Sequence, residues 1–303
     1  MKHILIKNRI GIFSLFLLLF CQQSFAQANL LNAKTPDQIG LKSEAQKEAD
    51  NDKPLPYGYV DDRDIMWSTT TWEIIDLEQR LNFPLLFPID TIDISADRRS
   101  LYDVLIRAMK EGKLKETYVD SYFTEKKTYD DLKFNLSKAD TLDAGYEILN
   151  TGGQLPPEYI VRTDLTARDI VQYRIKGLWY FDKRQGELKY RLLGIAPVAP
   201  DVSVIGTNDA QSHLVELFWV WYPSARDILH HAKVFNQQNS ARPISFDHLL
   251  NSRRFSAVIY KEDNVYGDRE IKKYLPDNAM YQLLEAERIK GRIRDREQDM
   301  WTY

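Results

Sequence analysis

The fold is decided by Ile170–Tyr222, which begins IVQYRIKGLWYFDKRQGELKYRLLGIAPVAP at Ile170 and ends HLVELFWVWY at Tyr222. Residues 171–179 alternate apolar with polar side chains, the period of two that is typical of a half-buried strand. Asp182–Gly186 is polar and ends in glycine, which predicts a hairpin loop, and the alternation returns over residues 187–192. Leu214–Tyr222 is apolar on both parities, as in a central strand covered on both faces. The sequence therefore predicts an antiparallel sheet built on a central hairpin.

Two helices are predicted before this sheet. Apolar residues of Asp64–Leu81 recur at positions 67, 74, 77 and 81, which fits one face of a helix, although the β-branched run Thr69–Thr71 weakens that prediction. Ser100 caps a clearer helix, which Gly112 ends. The fold class that follows is α+β, an antiparallel sheet with packed helices.

Three more helices are predicted after the sheet. Ser224 caps one that extends to about residue 236, Ser245 caps one over residues 246–252, and Asp277 caps the last. Between the last two helices, Phe255–Lys261 is predicted to be a further strand. The predicted apolar face of the last helix consists of Met280, Leu283, Leu284 and Ile289.

Residues 1–26 have the organisation of a cleaved signal peptide. Three basic residues precede the apolar run Ile10–Phe20, which is too short to cross a bilayer, since a spanning helix needs about 20 residues. Small residues near Ala26 predict a mature chain that begins at Gln27, or at Asn29 if cleavage follows Ala28. The alternatives are a retained N-terminal anchor, or lipidation of Cys21, which the bulky neighbour Phe20 disfavours.

The remaining chain is predicted to contain a flexible arm and one domain. Residues 27–53 are polar and poor in apolar side chains, which is typical of a mobile arm. Residues 54–303 form the predicted α+β domain, with a possible subdomain break near 151–157. At its start, Pro54–Tyr59 alternates proline and tyrosine, which predicts an extended segment laid on this protein or on a partner.

Composition excludes several classes of protein. The net charge at pH 7 is −3, whereas a nucleic-acid-binding protein needs a basic surface, so no nucleic-acid partner is expected. Cys21 is the only cysteine and lies in the predicted signal peptide. The mature chain is therefore expected to have no disulfide, thiol nucleophile or cysteine-ligated metal.

No catalytic, cofactor-binding or metal-binding motif stands out. Adjacent helical histidines such as His230 and His231 point about 100° apart, and His213 and His248 show no zinc spacing. Ser224 is better explained as a helix cap than as a nucleophile. We therefore expect no enzyme activity, no cofactor and no metal.

Aromatic residues are the remaining signal. A sheet core explains most of them, but tryptophan and tyrosine also dominate binding hot spots. We therefore interpret three groups of side chains as partner-binding candidates. They lie on the strand face that the core does not cover, in the Pro/Tyr segment, and near the end of the chain. These candidates are Pro54, Pro56, Tyr57, Tyr59, Trp219, Tyr222 and Trp301.

Several segments in a shared order resemble the gliding-motility family GldN, called PorN in oral Bacteroidetes, from about residue 54 to the C-terminus. They are Asp64–Ser68, Ile75–Leu77, Asn82–Leu85, Trp179–Leu188, Arg191–Pro197, Leu217–Pro223, Ser245–Glu262 and Asp268–Ile271. The resemblance implies a periplasmic component of the type IX secretion system without known catalytic residues. It also implies three partnerships: an outer-membrane lipoprotein, the periplasmic part of the inner-membrane motor complex, and further copies of the chain in a ring.

Two other functional classes stay open at this point. One is a periplasmic hydrolase that uses one of the histidines. The other is a glycan- or peptide-binding protein that uses the aromatic strands.

Overall fold

The structure is a computed structural model that describes residues 35, 53–90, 98–142, 145–146, 150–152, 156–205, 213–235 and 244–301, with Trp301 described by its backbone alone. The chain divides into two compact units, Met1–Lys53 and Pro54–Tyr303, and the elements below belong to the second. The predicted signal peptide and arm lie outside the described residues.

Eleven strands occur in the described part, and all their pairings are antiparallel. The main sheet has seven strands in the order β11-β1-β5-β6-β8-β2, with β7 also paired to β6. The strands are β1 (Ile65–Asp76), β2 (Thr117–Tyr118), β3 (Ser137–Thr141), β4 (Ile160–Asp164), β5 (Gln172–Asp182), β6 (Glu187–Pro200), β7 (Leu214–Glu216), β8 (Trp219–Trp221), β9 (Lys233–Val234), β10 (Ile244–Ser245) and β11 (Val258–Glu262).

The predicted central hairpin is confirmed. Strands β5 and β6 pair from Asp182↔Glu187 to Gln172↔Val198, with one irregularity between Lys176 and Gly177. Gly186 closes the loop with a φ of 65°, a left-handed conformation that glycine adopts without strain.

The predicted helix over Asp64–Leu81 is wrong, because these residues form β1. This strand pairs with β5 on one side and with β11 on the other. Its threonine run favours strand over helix, since β-branched side chains pack well on a pleated surface. Of the 67/74/77/81 spacing, positions 67 and 74 lie in the strand and positions 77 and 81 follow it, so the spacing does not mark one helical face.

The stretch Leu214–Tyr222 is not one central strand, and it is largely buried only from Leu217 onward, since Val215 is exposed. The stretch forms β7 and β8, both of which pair with β6, with Leu217 and Phe218 between them. The Leu217 N–H donates to the Pro197 carbonyl at 3.0 Å, so pairing with β6 continues through the gap.

Seven helices occur in the described part. Ser100 and Ser245 cap α2 and α5 as predicted, each hydroxyl accepting from a main-chain N–H three residues on. The helices are α1 (Phe83–Leu86), α2 (Leu101–Lys110), α3 (Tyr129–Leu136), α4 (Tyr222–His231), α5 (Phe246–Asn251), α6 (Ile271–Tyr274) and α7 (Ala279–Trp301).

Two other predicted caps are wrong. Helix α4 begins at Tyr222, one position before Pro223, and Ser224 lies inside it, where its hydroxyl donates to the Trp221 carbonyl. Since proline is tolerated in the first turn of a helix, α4 needs no serine cap. It also ends at His231, before the predicted residue 236. At the start of α7, the side chain that accepts from the Tyr281 N–H belongs to Asn278, not to Asp277.

The main core lies between the sheet and helices α2, α4 and α5. Its largest fully buried members include Tyr173, Tyr222, Phe218 and Phe246. A smaller cluster joins β11 to α6 and α7, and no helix in the described ranges is long and apolar enough to span a bilayer.

The predicted apolar face of α7 is wrong in part. Ile289 is fully buried as expected, but it packs with Ala286 and Ile293. Met280, Leu283 and Leu284 are exposed. The helix has two apolar faces, and the one nearer its C-terminus meets the sheet.

Candidate functional site

Residues Pro54–Val60, here called the strap, lie on the surface of this domain without regular secondary structure. Three arginine side chains from distant elements hold its main chain. Arg226 donates to the Leu55 carbonyl at 2.6 Å, Arg191 to the Gly58 carbonyl at 3.1 Å and Arg184 to the Tyr59 carbonyl at 2.7 Å. The extended Pro/Tyr segment predicted from the sequence is therefore laid on this protein.

Tyr57 anchors the strap in a niche, defined here by Arg191, Arg226 and Asn251. The two guanidinium groups lie 4.6 and 4.0 Å from the centre of its ring, and its hydroxyl donates to Asn251 Oδ1 at 2.9 Å. Burial raises the pKa of Tyr57, and the charge of Arg226 opposes that shift. The side chain therefore makes cation–π contacts with two guanidinium groups and one hydrogen bond.

A buried polar network supports this niche. Arg226 forms a two-bonded ion pair with Asp247, which is 5% exposed. The Tyr222 hydroxyl donates to the same carboxylate at 2.9 Å, and Asn251 donates to it at 2.8 Å. Because a bidentate guanidinium–carboxylate pair is geometrically specific, the network fixes Arg226 where it meets the strap.

The candidate contact residues of the strap differ in how far their side chains are exposed. Tyr57 and Pro54 are partly buried, whereas Pro56 is exposed and Tyr59 is 79% exposed. Leu55, which the sequence reasoning missed, is 81% exposed. The sequence contained a sign of this exposure. Leu55 lies between two prolines in a segment predicted to be extended, and no predicted helix or strand turns its side chain toward a core.

Trp219 and Tyr222, the two strand candidates, are fully buried within the chain. Burial raises the pKa of Tyr222, and its hydroxyl is committed to Asp247. A side chain with no exposed surface offers nothing to a partner, so we place the candidate contact site on the strap instead. The side chain of Trp301 lies outside the described residues.

A second cluster combines lysine and aromatic side chains. Lys176 and Lys261 each lie within 5.0 Å of the ring centres of both Trp72 and Tyr122. Burial lowers the pKa of both lysines. Lys176 donates to the Ser121 carbonyl and Lys261 to the Tyr122 hydroxyl, so both ammonium groups fasten the loop after β2 to the sheet. The cluster therefore has a structural explanation that requires no ligand.

A cleft of about 400 Å³ lies between β11 and α7. On its wall, Arg253 holds Glu73 through two hydrogen bonds of 3.2 and 2.6 Å, and Glu73 is 2% exposed. The guanidinium also lies 4.1 Å from the centre of the Tyr190 ring. The guanidinium therefore supplies the partner that the buried Glu73 carboxylate requires.

The histidines and Ser224 do not form a catalytic constellation in the described residues. His231 bonds through Nδ1 to the Asp227 carbonyl of its own helix, and Ser224 bonds to a main-chain carbonyl. No group of three or more histidine, cysteine, aspartate or glutamate side chains in the described ranges is placed to hold a metal ion.

Comparison with protein-family models gives a match over most of the chain. The family model described as Gliding motility associated protein GldN matches residues 60–302. A search of curated proteins finds no match to the chain.

Proposed function

The chain belongs to the GldN family, and from this premise we propose that it is a non-catalytic structural subunit of the type IX secretion and gliding machinery, located in the periplasm. Membership makes it a component of gliding-motility and secretion machinery, in a family that is structural and is not a known enzyme family. The finer statements concern its place and partners. We propose that it assembles with an outer-membrane lipoprotein into a ring and contacts the periplasmic part of the inner-membrane motor complex.

The observation that supports a contact role is the exposure of the strap. Leu55 and Tyr59 present large apolar surface to solvent although their main chain is held by arginines at 2.6 and 2.7 Å. Exposed apolar side chains on a fixed backbone are typical of contact surfaces, because little conformational entropy is lost when a partner binds.

The test is the native mass of the full chain, alone and with co-expressed envelope proteins. We expect a large complex in the presence of the lipoprotein partner. A chain that keeps the mass of a monomer in every co-expression would contradict the structural proposal.

Histidine variants separate this proposal from an enzyme. Single alanine substitutions of His213, His230, His231 and His248 should leave assembly and secretion intact in a structural subunit. Loss of secretion through one substitution in a folded, assembled chain would favour a catalytic role.

Export and the arm are tested separately. N-terminal sequencing should give a chain that starts at Gln27 or Asn29, and a lipid on Cys21 would contradict the periplasmic proposal. Residues 27–53 should be cleaved by protease in the isolated protein and protected in the assembly if they fold on a partner. Equal cleavage in both states would make them a spacer.

A further inference from the structure

The strap is bound to its domain as a peptide is bound to a receptor. Within the described part of the chain, residues 53–60 make no hydrogen bond between main-chain atoms. Their main-chain contacts come from arginine side chains on β6, on α4 and in the β5–β6 loop, and their anchor is one tyrosine in a niche. A segment held in this way can be exchanged for an identical segment without any change in the receptor.

The position of the strap permits that exchange. It begins at the boundary between the two units, at Lys53 and Pro54, and it precedes β1. Removing it from the niche therefore unpairs no strand of the sheet. A short helical turn at Asp62–Asp64 separates it from β1, and Arg184 holds the end of that turn through Asp64 at 2.9 Å. Residues 60–63 are the segment that would change direction.

We propose that in the assembled state the niche of one copy is filled by the strap of a second copy. This inference deepens the proposed function and rests on it, because it requires neighbouring copies of the chain. The exchange replaces each contact within one chain by the same contact between two chains, so its free energy is governed by the local concentration of neighbours. An isolated chain keeps its own strap, and an assembly that holds copies side by side favours the exchange.

The occupant is a second copy because the niche fits this segment. The Tyr57 ring contacts two guanidinium groups, and the carbonyls at positions 55, 58 and 59 accept hydrogen bonds from three arginines. Leu55 and Tyr59, which are exposed when the strap stays on its own chain, would then lie between two copies. Exchange would therefore bury the exposed side chains of the strap at the interface between two copies.

Crosslinking between differently tagged full-length copies tests the proposal. One copy carries Gly58→Cys, at an exposed strap position where a Cβ would meet no atom within 4 Å, and the other carries Gln185→Cys, which is exposed and next to Arg184; both carry Cys21→Ser. These changes leave Tyr57 and its niche intact. The two copies are co-expressed with the envelope proteins and treated with a bismaleimide, and products are separated under reducing conditions.

Three controls make the result decisive. A single copy with both cysteines should crosslink internally when isolated, which shows that the reagent spans the gap and that the strap is docked. A copy with Tyr266→Cys, exposed on a different loop, replaces the Gly58→Cys copy to measure random collision. An excess of a synthetic peptide of residues 53–61 should compete for the niche and reduce crosslinking between copies.

The expected result is a covalent product that carries both tags in the large complex, at least tenfold more abundant than the Tyr266→Cys background and reduced by the peptide. A large complex that shows only internal crosslinks overturns the exchange and leaves the proposed function standing. A Gly58→Cys adduct with a different envelope protein also overturns it. If no large complex forms, both proposals fail together, and the native mass alone reveals that case.

Discussion

Replacing one buried and one exposed aromatic residue by alanine should separate folding from assembly. Trp219 has no exposed surface, and its ring meets that of Phe123 edge-on at 6.4 Å. Truncating a buried tryptophan leaves a cavity and costs about 3–5 kcal/mol, a large part of a typical folding free energy of roughly 5–15 kcal/mol. For a chain of this size, that cost lowers the melting temperature by about 6–20 °C.

Tyr59→Ala is the matched comparison. Its side chain is 79% exposed, and the Arg184 bond is made to its main-chain carbonyl, which alanine keeps. The free energy of unfolding should therefore change by less than about 0.5 kcal/mol. If Tyr59 is a hot spot, assembly should weaken by about 2 kcal/mol or more, which is roughly 30-fold in Kd.

Urea unfolding of the isolated chain measures the first effect, and the native mass with co-expressed envelope proteins measures the second. Trp219→Ala should lower the urea midpoint, whereas Tyr59→Ala should keep the midpoint and lose the large complex. The reasoning is refuted if Trp219→Ala unfolds like the wild type but fails to assemble, because a side chain without exposed surface would then act as a contact. It is equally refuted if Tyr59→Ala is as unstable as Trp219→Ala.

Three further substitutions test other parts of the structure. Gly177→Ala should destabilise the chain by about 1–3 kcal/mol in urea unfolding, because a Cβ there would lie only 2.1 Å from the Tyr190 hydroxyl; an unchanged midpoint would contradict the β5–β6 register. Arg253→Met should cost about 3–5 kcal/mol by leaving the Glu73 carboxylate buried and unpaired, and the double variant with Glu73→Met should recover part of that loss. Burial and the hydrogen bond to an aspartate raise the pKa of Tyr122 to about 12. The protonated hydroxyl therefore contributes to stability below pH 10, and this contribution is lost between about pH 10 and 12. In a pH titration, Tyr122→Phe should reduce the tyrosinate absorbance that develops near pH 12 and leave the absorbance that develops near pH 10 unchanged.

The hairpin was predictable because its pattern is local. Polar and apolar residues alternate over most of β5 and over residues 187–192 of β6, and a glycine closes the loop between the two strands. Helix α2 was predictable for the same reason, since its cap at Ser100 and its apolar face lie within ten residues of sequence.

Strand β1 was not predictable from its pattern, because side chains on both of its faces are buried near its centre. Thr71, Trp72 and Glu73 are consecutive and all buried, so the alternation that marks a half-buried strand is absent. The Glu73 carboxylate is buried only because Arg253, 180 residues later, pairs with it. No window of sequence around β1 contains that information.

The strap shows a similar limit. Proline and tyrosine predicted an extended segment, but the three arginines that hold it lie 125–171 residues away in the sequence. The sequence could identify the ligand-like segment without identifying its receptor. The hypothesis that it lies on this protein or on a partner was therefore as specific as local pattern allows.

The packing on strand β8 explains why the contact candidate Trp219 is buried. Both parities of Leu217–Tyr222 are large and apolar, which requires two covered faces but does not say what covers them. Phe123, in the loop after β2, lies 4.9 Å from the Trp221 ring and 5.3 Å from the Tyr118 ring. It fits there because Gly194 has no Cβ; one would lie 2.6 Å from the Phe123 ring. Phe123, about 100 positions away in the sequence, thus covers the face of the strand that a partner was expected to cover. The partner surface must therefore consist of side chains that remain exposed on the folded chain.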